Sequence, residues 1–246
     1  MASVDPKDLL KAGAHFGHKT SRWHPKMAPY IHGVRGDVHV IDLIQTAKML
    51  DKALEVVEKA ASSGKQVLLV GTKRQAQDPI RKIAKEHNQP YVVERWLGGM
   101  MTNWNTMSGR IKKLKKLEEQ MLNGELEAKY NKLEVQRFQE EIDHLNHVFG
   151  GVKEMKGYPG LVFVVDVNRE ETAINEARKL GIPIIAIVDT NVNPSNIDFP
   201  IPANDDAIKT IEFILEKIGN SLASGSSKLK ANAYDEDNKD SKKENS

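Results

Sequence analysis

Residues 15–36, HFGHKTSRWHPKMAPYIHGVRG, set Lys19, Arg22, Lys26 and Arg35 among Phe16, Trp23 and Tyr30 without a single acid. Cations so placed meet phosphates, while rings such as His15, His18 and Trp23 offer faces on which bases stack. An extended segment of this composition can run along RNA. Equally, its aromatics can pin it to a core and so aim its cations. A second group, GTKRQAQ at 71–77, follows an apolar run. There Gly71 permits a tight turn, and Lys73 and Arg74 stand where a helix start would receive a phosphate. A mononucleotide and an RNA backbone would need the same groups. The third, RWLGGMMTNWNTMSGRIKKLKK at 95–116, has six Lys/Arg and no acid. Arg95, Trp96, Asn103, Trp104, Arg110, Lys112 and Lys113 are its expected nucleic-acid contacts, and Gly98 and Gly99 permit close backbone approach or positive φ. Solvated helix faces usually mix signs, so an unrelieved basic run favours a polyanion.

Catalytic chemistry finds less support. In AIVDTNVNPSNIDFPIPANDDA, 186–207, Asp189 at a strand end could hold Mg²⁺ on a sugar phosphate, with Asp205 and Asp206 nearby. The preferred reading is that Asp189, Thr190 and Asn191 satisfy turn amides and that Asn204 or Asp205 caps the last helix. GAHFGHKT, 13–20, departs from a phosphate-binding P-loop: three residues separate its glycines, and His18 precedes Lys19. Five of eight histidines lie between 15 and 39, and His144 and His147 form another pair. Zinc could use His15 and His18, but no cysteine and no nearby Asp or Glu completes a ligand set with them. No catalytic residue, metal or cofactor is therefore assigned. An enzyme for a sugar phosphate or nucleotide stands as the rival reading.

The elements that must position these groups are legible from periodicity. VHVI (38–41), QVLLVG (66–71), YVV (91–93), LVFVVD (161–166) and IIAIV (184–188) are short apolar runs. Helical patterns lie between and around them, at about 5–13, 42–62, 73–87, 170–180 and 205–221. Continuous Val/Ile/Leu runs separated by amphipathic helices imply buried parallel strands with helices on both faces, a three-layer α/β fold. Residues 104–149 contain no strand. Ile111, Leu114, Leu117 and Met121, then Phe138, Ile142, Leu145 and Phe149, mark two helices joined at Asn123–Gly124. An inserted antiparallel coiled-coil hairpin that projects from the body fits this pattern, as do two ordinary packed helices. The expected division is 1–103 with 150–222 as an α/β RNA-binding domain, 104–149 as the hairpin, and 223–246 as a polar, disordered tail.

A formal net charge of +2 conceals a strong segregation. Residues 1–117 hold 21 Lys/Arg against 10 Asp/Glu, and residues 118–222 hold 10 against 19. The basic half suits phosphate backbones, and the acidic half and hairpin suit solvent or basic protein neighbours. No run reaches the ~18 apolar residues that a membrane span needs. The N-terminus lacks a secretory pattern, and the absence of cysteine fits a cytoplasmic setting, with an organellar matrix kept open.

HFGHKTSRWHPKMAPYI, GTKRQAQ, RWLGGMMTNW and AIVDTN…IDFPIPANDDA, in this order and spacing, closely resemble the bacterial and organellar ribosomal protein S-two family. The resemblance runs from about residue 8 to 220. His24 stands where that family more often has Asn, and Met101 where Leu is common. The resemblance implies a Rossmann-like parallel sheet with a protruding coiled-coil hairpin. It also implies a non-enzymatic structural role in the small ribosomal subunit, on its solvent side between head and body. The implied partners are small-subunit rRNA and neighbouring ribosomal proteins, including the large mRNA-binding protein S-one where it exists, with no membrane and no small-molecule substrate.

Overall fold

The protein is described by a computed structural model that covers the backbone of residues 4–243 and the side chains of residues 4–231. It opens with α1 (Pro6–Ala12), capped by the Asp5 side chain, and then β1 (Phe16–Lys19). Two 3₁₀ turns, Thr20–Arg22 and Pro25–Tyr30, lead to β2 (Ile31–Arg35) and β3 (Val38–Ile41). The main body follows with α2 (Leu43–Ser62), β4 (Val67–Val70), α3 (Arg74–Glu86) and β5 (Tyr91–Val92). Next come α4 (Trp104–Leu122), α5 (Glu125–Lys129) and α6 (Lys132–Phe149). The chain closes with β6 (Leu161–Val165), α7 (Glu171–Lys179), β7 (Ile184–Val188), β8 (Phe199–Pro202) and α8 (Ile208–Lys243).

Five strands form one wholly parallel sheet in the spatial order β5-β4-β6-β7-β8. Side chains alternate between its faces, as the two-residue period of a strand requires. Leu68, Val70, Val162, Val164, Ile184, Ala186 and Val188 enter a core shared with α4, α6 and α7. Val67, Leu69, Leu161, Phe163, Val165, Ile185 and Ile187 enter a second core with α2, α3 and α8. Both faces are covered, so the strands read as unbroken apolar runs, and the three-layer α/β expectation holds. In chain order the strands run 2-1-3-4-5, so the direction of progress reverses between β4 and β6.

Several expectations are corrected. β3, the VHVI run, does not join the parallel sheet but lies between β1 and β2 in a separate antiparallel sheet. Only His39 and Ile41 of its four residues are buried, the alternation of a half-covered strand. The basic segment 15–36 is accordingly folded into strands and 3₁₀ turns rather than extended. β8 was not anticipated, because its sequence FPIP contains two prolines. It pairs on one side only, with β7, and an edge strand tolerates Pro.

The 104–149 insertion has three helices rather than two. α4 ends at Asn123, Gly124 turns with φ +71°, and α6 begins at Asn131 with a reciprocal capping box to Glu134. Between them Leu126 of α5 is buried. The expected seam residues Ile111, Leu114, Leu117, Ile142, Leu145 and Phe149 are buried in the core of the neighbouring sheet face, with Met121 and Phe138 at its edge.

The expected tail begins too early. α8 continues through 223–231, packed on α2. Ser224 and Lys228 bond Glu58 at 2.7 and 2.6 Å, and Gly225 lies against the Glu58 carbonyl and the Ala61 methyl. Once a packed helix is nucleated, each further residue adds a hydrogen bond at low cost, which composition alone does not reveal. Side chains beyond 231, where the rest of that tail falls, lie outside the described residues. A Cβ at Gly225 would stand 2.5 Å from the Glu58 oxygen. Gly225→Val should therefore destabilise the protein by about 1–3 kcal/mol in urea unfolding, the usual cost of forced overpacking. A neutral result would place 223–231 off α2.

Candidate nucleic-acid interface

At the carboxyl ends of the strands, where folds of this order take their ligands, the turns bring acids together. Thr72 and Lys73 follow β4, Asp166 and Glu170 follow β6, Asp189 and Thr190 follow β7, and Asp205 and Asp206 follow β8. Lys73 reaches into this group, its Nζ 2.6 Å from Asp205, 2.6 Å from Asp206 and 3.5 Å from Asp166. Burial opposes its charge, but these carboxylates outweigh burial and raise its pKa. Burial and the neighbouring Asp189 push Asp205 up to about 6 despite Lys73. Glu170 is raised chiefly by burial, while accepting from the amide and hydroxyl of Thr72 at 2.8 and 2.6 Å.

Asp189 is fully buried and accepts from the Thr190 amide at 2.5 Å and the Asp205 amide at 3.3 Å. The turn-amide reading thus holds for Asp189 but not for Thr190, whose hydroxyl takes the His18 amide, nor for Asn191, whose side-chain oxygen is buried without a partner among the described residues. Asn204, rather than Asp205, takes the amides of Asp206 and Ala207 before α8. Asp189 also lies 3.0 Å from His18 Nδ1, and that bond raises the His18 pKa against the effect of burial. His18, Asp189 and Asp205 present ligand atoms within 4.8 Å of one another. No acid near His18 in sequence completes a ligand set, but the fold brings Asp189 and Asp205 to it from some 170 residues or more away. One imidazole and two carboxylates form a donor set of the kind that holds a divalent cation.

The N-terminal segment closes over this crevice. The His18 amide donates to Thr190 Oγ1 at 2.8 Å, and the His24 amide to the Thr190 carbonyl at 2.7 Å. A Cβ on Gly17 would lie 2.6 Å from the Thr190 methyl. The Asn204 amide bonds the Ala14 carbonyl at 3.1 Å, and Thr210 Oγ1 bonds the Ala12 carbonyl at 2.9 Å. A crevice covered in this way and lined by carboxylates repels phosphate.

The remaining expected contacts divide by exposure. Lys19, Arg22, Lys26, Arg35, Arg74, Arg95, Arg110 and Lys112 are exposed and have no ion pair among the described residues; Lys116 behaves likewise. Lys113 is also exposed but is paired with Glu141 of α6. Trp23 is 39% exposed and packs on the buried His39 ring at 5.2 Å, so pinning and presentation coexist. His15 rests on Phe16 at 3.9 Å, its pKa lowered by burial and then by Arg35. Asn103 is exposed, and Trp104 is half-buried against the core. Three expected contacts are turned inward: Lys73 and His18 to the acids above, and Trp96 into the core, where its indole donates to Glu176 at 3.0 Å. Met27, Trp96, Met100 and Met101 share one core, so the 15–36 and 95–116 segments are fixed to the same side of the sheet.

Residues 9–225 match the family model described as Ribosomal protein S2. The chain is 49% identical over 219 residues to the small ribosomal subunit protein uS2 of Rhizobium leguminosarum, covering 89% of this chain and 85% of that protein. It is 48% identical over 236 residues to that of Gluconobacter oxydans, covering 96% and 88%. With that of Novosphingobium aromaticivorans it shares 49% identity over 222 residues, covering 90% and 88%.

Removing Lys73 would strip Asp205 and its neighbours of their cation. Lys73→Met should cost about 3–5 kcal/mol at pH 7.5, as breaking a buried pair does. Asp205, raised to about 6, favours the fold at low pH and loses that contribution as pH rises through its folded value. The loss should therefore be smaller at pH 5.5, where Asp205 can take a proton. Urea unfolding at the two pH values checks this, and equal losses would contradict the charge account.

Proposed function

The chain belongs to the ribosomal protein S2 family, and from that premise we propose that it binds small-subunit rRNA as a structural constituent of the small ribosomal subunit. The family is structural and non-enzymatic. The observation that carries the RNA reading is the set of exposed, unpaired cations on 15–36 and 95–116, two segments anchored in one core. Arg22, Lys26, Arg35, Arg95 and Arg110 are the proposed phosphate contacts, with Lys19, Arg74, Lys112 and Lys116 beside them. Trp23, held on His39 but part exposed, is the proposed stacking surface.

In this reading residues 1–103 and 150–222 make the RNA-binding body, and 104–149 projects as an antiparallel coiled-coil hairpin. Lys113–Glu141 and Glu118–Asn146 bonds between α4 and α6 support their pairing. The hairpin and exposed acids of the second half would meet neighbouring ribosomal proteins, including protein S-one in bacteria that have it. The protein would reside in cytoplasmic ribosomes, or those of an organellar matrix. Among the described residues, no helix is long and apolar enough to cross a membrane. The rival phosphate-binding enzyme is disfavoured, since its crevice is acid-lined, covered by residues 15–24 and occupied by the Lys73 ammonium.

Sedimentation of the tagged chain in lysate should show it with small subunits at low salt and released as salt rises; migration as a free protein would contradict the proposal. Changing Arg22, Lys26, Arg35, Arg95 and Arg110 to Gln should weaken rRNA binding. It should also reduce the slope of log affinity against log salt by about one unit for each true phosphate contact. An unchanged slope in filter binding would remove these residues from the interface.

A further inference from the structure

The 95–103 loop is built around an acid that the RNA reading does not use. Glu176 of α7 is only 7% exposed, yet its two carboxylate oxygens receive five donors. Oε1 accepts from the Trp96 indole at 3.0 Å and the Gly99 amide at 2.7 Å. Oε2 accepts from the amides of Met101 and Thr102, both at 2.9 Å, and from the Thr102 hydroxyl at 3.1 Å. Burial alone would raise the pKa of this carboxyl. The Thr102 amide, the Trp96 indole and the Gly99 and Met101 amides overcome it and hold the group below its usual range.

Successive amides converging on one point make a concavity suited to an anion, and a phosphate is a frequent occupant of such a nest. Here the chain fills the nest with its own carboxylate. The amides of Gly99, Met101 and Thr102 are therefore committed, and any polyanion must be met by outward side chains. Gly99 turns the loop at φ +86° between Trp96 and the start of α4. Fixing the loop at Glu176 consequently sets where Arg95 stands and where α4 begins to display Arg110, Lys112 and Lys116. Only a group that accepts without donating can serve all five donors. A glutamine would set its own N–H₂ against two or three of them.

We propose that Glu176, itself buried away from any RNA, is a positioning residue that shapes the 95–103 loop and aims the cations of 95–116 at rRNA. This rests on the RNA-binding reading above. The test compares full-length wild type and Glu176→Gln for binding to isolated small-subunit rRNA over a range of KCl concentrations, with thermal unfolding of the same samples. Glu176→Gln is expected to weaken binding roughly tenfold at moderate salt and to lower the salt slope by about two units as loop cations disengage. A melting temperature that falls while affinity and slope stay at wild-type values would reduce Glu176 to a stabilising role and overturn the proposal. Should Glu176→Gln fail to fold, Trp96→Phe removes one buried donor and leaves four. Its expected effect is about a threefold loss of affinity, smaller than that of Glu176→Gln because four of the five donors still hold the loop, and unchanged affinity overturns the proposal. Wild type that does not bind rRNA would instead defeat the underlying RNA reading, whatever the variants do.

Discussion

A carboxylate with no access to water must be met by donors or give up its charge, and Asp189 imposes that constraint on three distant parts of the chain. It stands at the end of β7, takes the amide of the turn after β8, and meets the imidazole of His18. The next residue, Thr190, receives the N-terminal segment on its hydroxyl and on its carbonyl. Through these bonds the small antiparallel sheet is docked onto the carboxyl end of the large one. Met27 then enters the same core as Met100 and Met101. The basic surface is thus seated on an acidic foundation.

That arrangement changes the meaning of the charge segregation along the chain. Acids of the second half do not simply decorate its surface: Glu170, Glu176, Asp189 and Asp205 are buried and organise loops. The cations of the first half mostly remain outside, without ion pairs among the described residues. Inward anions tie down backbone amides, and outward cations are left free, so a chain of formal net charge +2 presents a basic face. At the carboxyl ends of the strands, where such folds usually take ligands, Lys73 sits among the acids and the N-terminal segment bonds the turn after β7.

Periodicity was sufficient for the parallel sheet, since β4, β6 and β7 are buried on both faces and read as uninterrupted Val/Ile/Leu runs. It failed for β8, where edge pairing lets prolines into a strand, and for VHVI, whose half-buried alternation was masked by its brevity. The exposed cations were legible from composition, because an acid-free stretch of Lys and Arg seldom folds inward. Lys73 was the exception. Its partners follow β6 and β8, and no local pattern announces a contact spanning more than 130 residues. The same holds for His18, whose acids are distant in sequence, and for Glu176, which lies inside an ordinary amphipathic helix. Trp96 carried a readable signal: a tryptophan beside a glycine pair in a loop often needs a buried acceptor for its indole.

Bonds from Thr190, Asn204 and Thr210 seat residues 12–24 on the carboxyl end of the large sheet. During synthesis from the N-terminus, residues 15–24 can pair with β3 early, but they are made long before the turns after β7 and β8 exist to dock them. Until those turns have left the ribosome that is making the chain, the small antiparallel sheet has no fixed seat on the large one and its cations no fixed direction. Closing a loop of nearly two hundred residues is a late, non-local event in folding. Docking of the 15–36 part of the surface proposed to grip RNA is consequently a late step, and a truncated chain ending before β7 would carry its charges without that geometry.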